Sequence, residues 1–117
     1  MEELDLNNYL FKQDLFELFK FQLTKDFESA GLDIHFTNNL PKEFDALQTI
    51  IQTQLIQSSK QQAQLLPILL YRIDISELQI KNYSKNNADL TYEAILAELI
   101  IKRILQKVIL KKTFSNK

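Results

Sequence analysis

LTYEAILAELIIKRILQKVILKKTFSNK, residues 90–117, decides how this chain folds. At about 100° per residue, Tyr92, Ile95, Leu96, Leu99 and Ile100 cover one side of a helix. Toward the C-terminus that side becomes Arg103, Gln106 and Lys107. The opposite side opens with Ala94, Ala97 and Glu98 and becomes Ile101, Ile104, Leu105, Val108 and Ile109. The spacing predicts one long helix whose apolar face changes sides halfway. A helix with two dry faces needs two sets of neighbours. In one arrangement it is the central helix of a small bundle, touched by different neighbours along its length. In the other, the Tyr92 side packs against the chain's own core. Ile101, Ile104, Leu105, Val108 and Ile109 then form an interface with a second chain or another protein. Each such side chain contributes about 1.5–3 kcal/mol when buried, which is ample for either arrangement.

Working outward, residues 11–30 carry the clearest helical rhythm. Phe11, Leu15, Leu18, Phe19, Leu23, Phe27 and Ala30 mark one face, widened by Phe16, while Phe21 falls outside it. Asp26 and Glu28 read as solvated helix residues. Gly31 follows directly and suits a helix end, because it accepts a left-handed backbone. Leu32–Phe36 alternates apolar and polar over five residues, as a connector or a short edge strand does. Pro41 is placed to open a second helix with Phe44, Leu47, Ile51 and Leu55 on its dry face. Leu65–Ile75 fits a helix through Leu66, Leu69, Leu70 and Ile73, yet Tyr71–Ile75 also alternates like a strand. Ser76-Glu77-Leu78-Gln79 reads as a capping box for a short helix through about Asn82. Asp89 or Thr91 caps the last helix.

Composition supports this reading. The 117 residues suit one domain, 1–117, and a 45% apolar, 25% charged content is that of a globular chain. A single glycine and two prolines disfavour the turn-rich sandwiches and barrels. The expected fold is all-α, a bundle of four to five helices with a long central C-terminal helix. The alternative is α+β, with a small two-stranded sheet from Leu32–Phe36 and Leu70–Ile75.

The same scarcities bound the function. One glycine cannot supply a Gly-rich phosphate loop, and without cysteine there is no thiolate chemistry. The start, Met-Glu-Glu-Leu-Asp-Leu-Asn-Asn, lacks the basic and apolar runs of a secretory signal, so a cytoplasmic location and no membrane partner are expected. His35 is the only histidine, and Glu-x-x-His pairing is absent because Leu32 stands three residues before it. No metal, cofactor or small-molecule substrate is indicated. Arg72, Asp74 and Glu77 beside Tyr71 form one polar cluster in an apolar segment. If that segment is buried, Arg72 and Asp74 need partners.

Charge is unevenly distributed. Residues 1–50 hold four lysines against ten acids, a net of −6, and the remainder carries +5. After Glu98 come Lys102, Arg103, Lys107, Lys111, Lys112 and Lys117 with no further acid. Such a cluster can meet phosphates. It also complements a helix C-terminus, and Glu98–Lys102 has the spacing of an i, i+4 pair. The expected role is therefore a non-catalytic protein–protein interaction or homo-oligomerisation module using the C-terminal helix, not an enzyme. The alternative is a nucleic-acid-binding accessory protein using the basic part of that helix.

Overall fold

The structure is a computed structural model that describes residues 3–115, with side chains from Leu6 to Thr113. Six α-helices and no strand occur among these residues: α1 (Glu3–Leu10), α2 (Gln13–Ser29), α3 (Phe44–Gln61), α4 (Leu66–Ile73), α5 (Glu77–Asn86) and α6 (Tyr92–Ser115). The all-α expectation is met, with more helices than the four or five foreseen. The chain turns at Phe11–Lys12 and opens with α1, whose Leu6 and Leu10 are fully buried. Phe11, expected on the core stripe, stands 59% exposed in that turn.

Local chemistry sets the helix ends. Gly31, at φ +88°, closes α2 in a Schellman motif. There Gly31 N–H donates to the Glu28 carbonyl and Leu32 N–H to that of Phe27, each at 3.0 Å. Asp74 repeats the motif after α4 at φ +70°, with Ile75 N–H donating to the Leu70 carbonyl at 2.9 Å. Ser76 and Gln79 form the anticipated capping box, and α5 runs on to Asn86 rather than stopping near Asn82. Thr91 Oγ1 caps α6 by accepting from Ala94 N–H at 3.2 Å. Pro41 does not open α3. Glu43 caps it instead, accepting from Asp45 and Ala46 N–H, and Asn7 of α1 accepts from Phe44 N–H at 2.8 Å.

Neither proposed strand forms. Leu69 and Ile73 are buried while Tyr71 between them is 87% exposed, whereas a strand would put all three on one face. In the Leu32–Phe36 segment, Asp33 Oδ1 accepts from His35 N–H at 2.9 Å and starts a 3-10 turn over His35–Asn39. Phe36 then meets Phe27 edge-on, with ring centroids 4.9 Å apart.

The last helix is the centre of the bundle. It packs against α3 and α2 along its length and is also touched by α5 and α4. Ala94, Ile95, Leu96 and Ala97 are all buried, so this stretch is enclosed on every side. Ile101, Ile104 and Leu105 have no exposed surface, Val108 has 2%, and Ile109 packs half-buried against the core. Ile109 keeps part of its surface at a small cavity, and the expectation that the other four meet a second chain is therefore corrected. Their own monomer covers them, because α2 and α3 fill the second dry face. Tyr92, assigned to the core, is instead 52% exposed.

Two outcomes follow. Ile104→Asp places an unpaired charge in the core and unfolds the chain rather than separating folded subunits, which circular dichroism and light scattering distinguish. Gly31→Ala puts its Cβ at an ordinary 3.5 Å from Leu65, so its cost is conformational. A loss of about 1–2 kcal/mol in denaturant unfolding is expected.

Candidate functional site

The polar cluster singled out in the sequence is dispersed by the fold. Tyr71 projects into solvent, 87% exposed. Arg72 turns to α2, where its Nε lies 3.7 Å from Asp26 Oδ1. Asp74 turns to α6, where Arg103 Nη2 donates to its Oδ2 at 2.9 Å. Glu77 edges a shallow cavity of about 260 Å³ with Pro67, Leu70 and Tyr92. Both charges find partners although both side chains remain exposed, Asp74 at 78%. They do not converge on a common point where a ligand or reacting atom could sit.

Asp26 corrects the sequence reading, since it is only 2% exposed rather than solvated. Gln22 Nε2 donates to its Oδ1 at 3.1 Å, while Oδ2 has no hydrogen-bond partner. An unsatisfied buried oxygen costs about 1–3 kcal/mol. Asp26→Leu is accordingly expected to hold or raise the melting temperature. Arg72→Met, which leaves the carboxylate buried without its counter-ion, lowers stability by about 1–3 kcal/mol in denaturant titration.

The bases of α6 are largely engaged within the chain. Lys102 donates to Tyr83 Oη at 3.0 Å, and that hydroxyl donates to Glu98 Oε2 at 3.2 Å, so the i, i+4 pair is bridged by Tyr83. Lys107 donates to the Arg72 carbonyl at 3.1 Å, satisfying the end of α4. Lys112 pairs with Asp14. Lys111 has no ion-pair partner among the described residues, and Lys117 lies outside them.

His35 is 90% exposed, and its Nδ1 lies 2.8 Å from Asp33 Oδ1. The His35 backbone N–H, and secondarily its ring, hold the Asp33 carboxyl below the usual aspartate range. No group of three or more histidine and carboxylate side chains able to hold a metal occurs among the described residues.

One concave apolar surface remains. Where α2 and the C-terminal half of α6 run side by side, they leave a cavity of about 690 Å³. Leu18, Phe21 and Val108 supply its apolar lining, with Glu17 on the α2 side and Lys111 on the α6 side. The Asp14–Lys112 pair crosses one end and separates this cavity from a smaller one bounded by Lys12, Leu15 and Ile109. Leu18 is 39% exposed and Phe21 65% exposed. Helical spacing puts Leu18 on the core stripe, yet it lines this surface. Phe21, off that stripe, was the one sequence signal of this surface. Among the expected interface residues only Val108 reaches it.

Comparison of the chain with family models, with curated proteins and with solved structures returns no match.

Proposed function

We propose that this chain is a cytoplasmic protein–protein interaction module that receives its partner between α2 and α6. The C-terminal helix contributes Val108, Lys111 and Lys112 to that surface, and of the residues first expected only Val108 takes part. The observation that carries this reading is the exposure of Leu18 and Phe21 beside an unfilled apolar groove. Leaving a large apolar side chain in water forgoes about 1.5–3 kcal/mol, which a docking partner recovers. An apolar groove between two helices, rimmed by charge, suits the amphipathic face of a partner helix. Its anchor side chains enter over Val108, and Glu17 and Lys111 set its register.

The nucleic-acid alternative has less support. Lys102, Arg103, Lys107 and Lys112 each serve a contact inside the chain, on different sides of α6. They do not form one free stripe along which a phosphate backbone could run.

A photo-crosslinking phenylalanine analogue at position 21, expressed in the cells that make the protein, tests the reading. Discrete products are expected from position 21 and none from position 71, a still more exposed aromatic site outside the groove. Equal labelling from both positions, or none from position 21, overturns it.

A further inference from the structure

The outer ridge of α2 carries its own complement. Glu17, Phe21 and Lys25 are spaced four residues apart, so they lie one above another along the helix. All three are exposed, and they face away from the core side of the helix defined by Leu15, Phe19, Leu23 and Asp26. The acid and the base are both free of ion pairs among the described residues. Glu17 accepts only a side-chain hydrogen bond from Gln13, at 2.9 Å. The neighbouring acid, Asp14, is already held by Lys112. The fold thus leaves unpaired one acid, one aromatic and one base, in that order, on one line.

We infer that the occupant of this surface is a second copy of the same chain, its α2 laid antiparallel across the first. This rests on the interaction reading above and names its partner. A two-fold axis through the Phe21 level sends each residue above it to the equivalent position below it. Glu17 of one copy then faces Lys25 of the other, and the same pair forms again across the axis. The two Phe21 rings meet at the centre, each beside Leu18 and the cavity it edges. A parallel arrangement would set acid against acid and base against base, so charge selects the antiparallel one. No other exposed line on the described helices combines a central aromatic with an unpaired acid and an unpaired base at equal spacing on its two sides.

The test uses the full chain. Light scattering over a concentration series is expected to show a reversible dimer. Phe21→Glu, at an exposed helical position, gives a monomer with unchanged helicity and melting temperature. Glu17→Lys and Lys25→Glu each weaken the dimer about tenfold, by turning two exposed attractions into repulsions. The double variant restores it, since the reversed charges again face their opposites. A chain that stays monomeric throughout overturns the proposal. So does a dimer that survives Phe21→Glu, or a double variant no tighter than the single ones. The crosslinker at position 21 separates this failure from that of the interaction reading. Products with other proteins but none at twice the chain mass remove self-pairing and leave the groove as a docking site. No product at all removes both.

Discussion

The structure depends on drying the last helix on more than one side. A helix of 24 residues runs about 36 Å, nearly the 41 Å length of the molecule. Its first half is enclosed all round at Ala94–Ala97, and its second half presents one stripe from Ile101 to Val108. No single neighbour can cover both. α2 and α3 supply the long walls, α5 covers the beginning through Tyr83, and α4 reaches the middle through the end it offers to Lys107. The shorter helices are positioned by what α6 still needs.

That constraint explains which parts were legible in the sequence. The change of face was visible from spacing alone, and so were Gly31, the Ser76–Gln79 box and Thr91, because caps act over three or four residues. Whether the Ile101 face was core or interface was not legible. It turns on how many neighbours return to α6, and long-range packing leaves no mark in a local pattern. The turn at Phe11–Lys12 was hidden for a related reason: Phe11 continues the apolar rhythm of α2 although the chain bends there. Leu69 and Ile73 fit both periods, and only the position of the core decided between them.

Charges were legible as a cluster but not as contacts. Asp74 meets Arg103 and the Arg72 carbonyl meets Lys107 across 29 and 35 residues of chain. Asp26 shows the opposite failure. Its helix position was read correctly, and what local spacing did not show was α4 packing on α2 and bringing Arg72 beside it. Of the candidate surface, Phe21 announced itself by missing the apolar stripe, while the cavity next to it exists only because two helices distant in sequence run side by side.

The central place of α6 also has a consequence for the order in which the chain can fold. During synthesis, α2 and α3 emerge with Phe19, Leu23, Phe27, Ile51 and Leu55 uncovered, and the helix that covers them is made well after them. At about 5–20 residues per second the ribosome leaves those faces wet for a few seconds before residues 92–108 arrive. Core formation is therefore a late, concerted event, and the nascent chain in that interval presents the sort of apolar surface that chaperones bind.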